Sequence, residues 1–469
     1  MTRWTLAAIF VVLLASRLAH LNIVWVEEGY PTAAAIQMLD SGKTLYKDIW
    51  FDKPAGTAYL YYLWGARTGL ALRLADALFL FACCLLTYGL GRALWGRELE
   101  GLVAAALLAL YLTFGIPAAV MALAPDLALV LPHIAAVWLA VLKRPALAGA
   151  VAAIGFWFNT KALFVLASCA VFLAPGLDWL RLLGGFAAVT SVQFGLLLAQ
   201  GAFAAYWDQV WRWGGMYARD SFVEQPWLYG FRQTLNWCGF QAAALVGAVV
   251  ALYGKRRGPF PDGRGSEGLV LWLVLCAVPV ALGLRFFPRY YFQILPVAVL
   301  LAGRGFAISA RPIRLIIVLL ALIPVVRFGP RYVSLTADLL AHRSHQWSDL
   351  ALEQDSEQVA EALRAQPRGA LFVWGYRPDI YALTRLPAAT QFLDSQPISG
   401  VLADRHLTSS KVSAPEWAVR NVGVIEQAQP TYIVDGLGRL NPSLAVPLPA
   451  GYEIIADTGR SIVYRNRNK

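Results

Sequence analysis

Charge is scarce in this sequence of 469 residues: only 15% are Asp, Glu, Lys or Arg, against about 25% in an ordinary soluble domain. Cysteine is scarcer still. The five, Cys83, Cys84, Cys169, Cys238 and Cys276, all lie in or beside apolar stretches, their odd number makes no disulfide framework, and their spacing suits no metal. There is no internal repeat, no low-complexity tract and no Asp-x-Asp. Gly436-Leu437-Gly438 lacks the third glycine of a dinucleotide fingerprint and is followed by Asn-Pro where a helix should begin, so a turn is expected there. This composition excludes a disordered, fibrous or disulfide-stapled chain, and a turn accounts for the glycines better than a nucleotide-cofactor site does.

What fills the space is apolar. Hydrophobic residues make up 58% of the chain and mean hydropathy is +0.54, which indicates a polytopic membrane protein. The net charge of +11 (Lys+Arg 40 against Asp+Glu 29) invites a nucleic-acid reading. However, roughly fourteen basic and fourteen acidic residues follow position 330, so the excess belongs to the apolar part, where loop charge sets topology. Nucleic acid is not an expected partner.

An apolar run from Trp4 to about Val24 is interrupted near its end by Arg17 and His20 and has no small-x-small cleavage site, so it is expected to span the bilayer. Further runs centre near residues 80, 108, 134, 152, 167, 192, 245, 276, 297 and 320, for about eleven spans. With the N-terminus inside, the inner loops carry Arg92 and Arg97, Lys143 and Arg144, Arg181, Lys255-Arg256-Arg257 with Arg264, and Arg304, Arg311 and Arg314. This obeys the positive-inside rule and places the tail outside.

The expected organisation is a helical membrane domain over 1–330, with outer loops 25–68 and 205–236, and an extracytoplasmic α/β domain over 331–469. In the second loop Trp207, Trp211, Trp213, Trp227 and Trp237 suggest interfacial helices at headgroup level. In the tail a helix (349–365) precedes a strand (370–374), a second helix (415–427) precedes a second strand (431–435), and 452–456 with 461–465 form a hairpin. Trp374, Tyr376 and Asp379 suggest an acceptor-recognition surface.

Ionisable groups at a membrane are costly and therefore functional candidates. On the expected topology Glu27, Glu28, Asp48, Asp52, Lys53, Asp126, Lys161, Arg285 and Arg289 fall at one face. Singly, each has an ordinary reading: solvated loop charge for the glutamates, a helix-start anchor for Lys53, an N-cap for Asp126, a snorkelling Lys161, an interfacial Arg289. Their convergence suits a lipid-linked phosphate, with cations neutralising phosphate and a carboxylate as base.

The stretch VEEGYPTAAAIQMLDSGKTLYKDIWFDKPAGTAYLYYLWG, with APD at 124–126, NTK at 159–161, RYYFQILPV at 289–297 and LFVWGYRPDIYALTRLPAATQF in the tail, resembles the GT-C membrane glycosyltransferases that use polyprenyl-phosphate sugars. Protein O-mannosyltransferases, the lipid A aminoarabinose transferase and the rhizobial lipopolysaccharide glycosyltransferases belong to this group. Here Glu27-Glu28 stands where the family usually has Asp-Glu, and Lys53-Pro54-Ala55 where it has Lys-Pro-Pro. The resemblance implies an inverting transfer from a polyprenyl-phosphate sugar to a hydroxyl of a glycan, lipid or protein acceptor. It implies Glu27 as base with Glu28 beside it, Lys53, Lys161 and Arg289 on the donor phosphate, and Asp52, Asp126 and Tyr290 on substrate. A metal-independent reaction is expected, with no cofactor, at a bacterial inner membrane with the site facing the periplasm. A transporter or flippase of lipid-linked sugars, which would place charge at mid-membrane on broken helices, and a membrane-anchored scaffold are the alternatives.

Overall fold

The computed structural model describes residues 2–221, 223–253, 267–345, 347–402 and 407–469. The basic loop with Lys255, Arg256, Arg257 and Arg264 lies outside the described residues. The chain is mostly helical and divides into two compact units, each discontinuous in sequence.

The first unit comprises Met1–Leu21, Arg73–Gly195 and Val223–His345. Each apolar run noted in the sequence is a helix or part of one, but the runs differ in length. Leu70–Trp95, Leu177–Ala199, Glu267–Leu284 and Arg311–Leu340 are long and apolar enough to cross a bilayer. At 1.5 Å per residue, the 26 residues of Leu70–Trp95 span about 39 Å, more than the hydrocarbon core of about 30 Å. Pro125–Val141, Pro145–Phe158, Ala162–Val171 and Leu295–Ile308 are apolar but shorter. Pro226–Phe240 and Ala242–Tyr253 pass the test together and are bent by 84° at Gln241, a broken span or a re-entrant loop that the sequence did not announce. Length and composition therefore give four or five crossing helices among the described residues, against the eleven apolar runs. Close packing comes from small residues: a Cβ on Gly305 would lie 1.8 Å from the carbonyl oxygen of Gly247, so Leu295–Ile308 and Ala242–Tyr253 meet backbone to backbone.

The second unit comprises Asn22–Leu72, Leu196–Phe222 and Gln346–Lys469. It holds a mixed four-stranded sheet, β1 (Leu371–Trp374), β2 (Tyr432–Asp435), β3 (Tyr452–Asp457) and β4 (Ile462–Asn466), in the order β1-β2-β4-β3. β1 and β2 run parallel in register Leu371 with Tyr432, so helices must connect them. The hairpin partners β3 and β4 are antiparallel. The helix expected over 415–427 is two pieces, Pro415–Arg420 and Val424–Ala428, because Gly423 takes a left-handed φ of 78° between them. Position 330, expected to end the membrane domain, lies inside the helix Arg311–Leu340. Both segments read as outer loops of that domain contribute to this second unit.

The first of them is anchored over its whole length. Its helix Val26–Ser41 ends at Gly42, in the left-handed region, and packs so closely on Asp379–Thr384 that a Cβ on Gly29 would lie 2.7 Å from Asp379 Cα. Gln37 donates to the Leu386 carbonyl (3.0 Å) and accepts from Ala388 N–H (2.8 Å), like a missing strand partner. Asp40 pairs with Arg385 at 2.9 Å. Further along, Trp50 N–H donates to the Gln391 carbonyl at 2.7 Å.

Trp213 corrects the interfacial reading. It is 1% exposed, with its ring edge-on to Trp50 (5.6 Å) and Trp417 (5.2 Å) in a three-tryptophan core. Trp207 and Trp227 are exposed, whereas Trp237 stacks on Tyr291 at 5.3 Å. The expected surface of Trp374, Tyr376 and Asp379 is corrected too. Trp374 and Asp379 are buried, the indole N–H of Trp374 donating to the Leu444 carbonyl (2.7 Å), and Tyr376 packs on Tyr30 at 5.9 Å. At Gly436-Leu437-Gly438 there is a turn: Asp435 Oδ1 accepts from the N–H groups of Leu437 and Gly438.

Candidate active site

Within the first unit, three separate sequence motifs meet. Pro125 starts a helical turn that holds Asp126, and Lys161 stands at the start of Ala162–Val171. Lys161 Nζ donates to Asp126 Oδ1 at 2.8 Å and lies 3.2 Å from the centre of the Tyr290 ring. Asn159 braces both: its amide donates to the same carboxylate oxygen (3.1 Å) and its carbonyl accepts from Lys161 N–H (3.0 Å). Asp126 is therefore a counter-ion and makes no side-chain cap bond to its own helix. The Lys161 side chain is 15% exposed, so its charge is little screened. It also adds to the positive end of the helix it begins, which is the geometry that receives phosphate oxygens. Arg289 lies on the adjoining turn Pro288–Gln293, its guanidinium 5.5 Å from the centre of the Phe287 ring.

Within the second unit the acidic pair opens the helix Val26–Ser41, and its members differ. Glu28 is buried, and its carboxylate accepts from Trp25 N–H at 3.0 Å, reaching back as a capping residue does. Glu27 is half-buried in the first turn of the same helix. Glu353, a carboxyl group that the sequence reading passed over, lies in its electrostatic surroundings. Burial pushes Glu353 up to about 8, with Asp379 and Glu27 adding to the rise, so Glu353 is protonated at neutral pH. Its position was legible in principle, because it shares a buried helix stripe with Ser356, Ala360 and Leu363.

Lys53 Nζ pairs with Asp52 Oδ2 at 2.7 Å and lies 5.7 Å from the Tyr217 ring centre. The Tyr46 hydroxyl donates to the Lys53 carbonyl (2.8 Å), while Gln209 donates to Tyr46 (2.8 Å) and accepts from Phe51 N–H (2.8 Å). The loop is thus held rigid. Below it the Tyr30 hydroxyl donates to the Trp50 carbonyl and accepts from Asp52 N–H, both at 3.3 Å. Burial first, then the charges of Asp52 and Asp394, raise the Tyr30 hydroxyl well above its usual range and keep it a donor. Asp394 is the second residue missed, and no spacing in the sequence marks it. Among the described residues no group of three or more His, Cys, Asp or Glu is arranged to hold a metal ion.

No protein-family model matches the sequence, and no curated protein matches it. Solved structures do. ArnT from Cupriavidus metallidurans, crystallised with undecaprenyl phosphate bound, aligns over 99% of this chain and 98% of its own, at TM-score 0.65 and 15% identity. The apo structure of the same protein aligns over 98% and 97%, at 0.62 and 14%. The chain shares the fold of ArnT. At this identity the likeness is one of fold alone, and it covers nearly the whole of both chains.

Proposed function

We propose that the chain is an integral-membrane glycosyltransferase that moves a sugar from a polyprenyl-phosphate donor to an acceptor hydroxyl, with inversion. The observation that carries the reading is the cation at the helix start. Lys161, oriented by Asp126 and Asn159 and backed by Tyr290, lies on a fold shared over nearly the whole chain with ArnT, which was crystallised with undecaprenyl phosphate.

In the proposed reaction the acceptor oxygen attacks the anomeric carbon as the bond from that carbon to the phosphate oxygen breaks. The electron pair leaves with the polyprenyl phosphate, and the hydroxyl proton passes to Glu27. Glu28, whose carboxylate accepts from Trp25 N–H, takes the capping role, and Glu27 beside it takes the base's. Lys53, Lys161 and Arg289 stabilise the charge that grows on the leaving phosphate. Asp52, Asp126 and Tyr290 contact or orient substrate. Three cations supply the charge a divalent ion would otherwise bring, so we place the reaction in the metal-independent class. The proposed setting is a bacterial inner membrane, N-terminus cytoplasmic, about eleven crossings, and the C-terminal domain and site on the periplasmic side. The acceptor is a glycan, lipid or protein.

A transporter or flippase of lipid-linked sugars is the second reading, and the helix pair bent by 84° favours it, since broken helices form transport sites. Reconstituted Glu27→Gln protein separates the two. Loss of sugar transfer with a normal fold supports the transferase; undiminished transfer by the variant removes Glu27 as the base. Lipid translocation without any transfer by the wild type establishes the transporter instead.

A further inference from the structure

In the second unit the segments around Trp50–Lys53 and Gln391–Asp394 run side by side. They are tied by Trp50 N–H to the Gln391 carbonyl (2.7 Å) and by the Trp50 and Phe392 rings at 5.8 Å. Each segment carries a carboxyl group with one oxygen engaged and one open. Asp52 spends Oδ2 on Lys53 and leaves Oδ1 buried with no hydrogen-bond partner among the described residues. Asp394 spends Oδ1 on Gln396 N–H (2.8 Å) and likewise leaves Oδ2 buried with none. The two groups are near enough for the charge of Asp52 to act on Asp394, and both act on Tyr30. Asp394 is 1% exposed, and the Asp52 side chain 7%.

A buried polar atom left without a partner costs free energy, and most such atoms in folded proteins are satisfied. Two buried carboxyl oxygens without partners, on segments tied side by side, match a ligand that brings several hydroxyl donors on a rigid frame. We infer that Asp52 and Asp394 together form a polyol-binding site, in which neighbouring hydroxyls of a sugar ring donate to the two open oxygens. Asp394 thereby becomes a substrate-specificity residue contributed by the C-terminal segment. Tyr30, whose hydroxyl meets the Asp52 N–H, packs its ring on Tyr376 at 5.9 Å and on Phe51 at 4.9 Å beside this site. Burial, opposed by the Gln396 hydrogen bond and aided by the charge of Asp52, holds Asp394 up at about 7. Near neutrality it can therefore accept from one hydroxyl or donate to another.

This inference rests on the transferase reading but is tested without it. Full-length protein in nanodiscs is titrated with free glucose, galactose, mannose, xylose and glucuronic acid, and binding is read by saturation-transfer NMR. The wild type should bind at least one of them. Asp394→Asn and Asp52→Asn should each raise its half-saturation concentration at least tenfold. Asp457→Asn, an exposed carboxylate paired with Arg439, should leave it unchanged. If Asp394→Asn does not fold, Asp52→Asn decides. No sugar binding by the wild type, or equal binding by both variants, overturns the inference. Undecaprenyl phosphate retained by the same wild-type sample tests the lipid-phosphate reading separately. In turnover assays the KM that rises in Asp394→Asn, the donor's or the acceptor's, names the substrate that brings the ring; a change in neither overturns the assignment.

Discussion

Lys161 and Asp126, 35 residues apart, are joined by a 2.8 Å ion pair that also fixes the lysine against the Tyr290 ring. A partly buried cation held this firmly need not reorganise when charge develops on a leaving group. Lys161→Ala is expected to lower kcat/KM by about 10²–10³, as removal of an oxyanion donor does, about 2.7–4 kcal/mol. Asp126→Asn keeps the shape but removes the counter-charge, so the lysine is expected to lose position, and the rate to fall less than in Lys161→Ala. Steady-state kinetics of both variants check this ordering.

The acidic pair should split by role. Glu27→Gln is expected to abolish transfer with the thermal midpoint unchanged. Glu28→Ala removes the bond to Trp25 N–H and should cost about 0.5–2 kcal/mol of stability, the range for a lost cap. Thermal unfolding and turnover of the two variants, measured side by side, report which carboxylate supports the fold and which the chemistry.

Glycine at 29 is required by contact. A methyl there would sit 2.7 Å from Asp379 Cα, so Gly29→Ala must part the helix Val26–Ser41 from Asp379–Thr384 and should destabilise by about 1–3 kcal/mol. Differential scanning measurements on the variant would show the lowered midpoint.

Stability should fall as pH rises. Glu353 at about 8 and Asp394 at about 7 both lie above their unfolded values, burial being the main cause. The folded state therefore binds more protons than the unfolded one between about pH 4 and 8. The stabilisation is full below the unfolded values and is lost as pH climbs through the folded ones. Melting temperatures from pH 5 to 8.5 should decline in the wild type and decline less steeply in Glu353→Gln, where Asp394 alone of the two remains.

Much of this was legible beforehand, and the reasons are physical. Apolar runs report burial in lipid or core alike, so all the runs became helices, but hydropathy does not report helix length. Several runs are accordingly only 10–17 residues long. The motifs around Asp126, Lys161 and Tyr290 were recognisable because each is a polar break in an apolar run. That they form one cluster depends on tertiary packing, which no spacing encodes. Trp213 was misread because an aromatic at helix spacing serves a lipid interface or a buried core equally well, and its partners Trp50 and Trp417 are far away in sequence. Asp394 lies in an irregular segment without periodicity, so nothing local marked its burial.

Native mass spectrometry of the purified Glu27→Gln protein, released gently from detergent, tests the central claim most directly. A retained adduct with the mass of a polyprenyl phosphate plus a hexose, pentose or uronic acid is the expected result, and its mass would also identify the class of sugar. Ordinary phospholipids alone, with Lys53 and Lys161 intact, would contradict the donor-lipid reading.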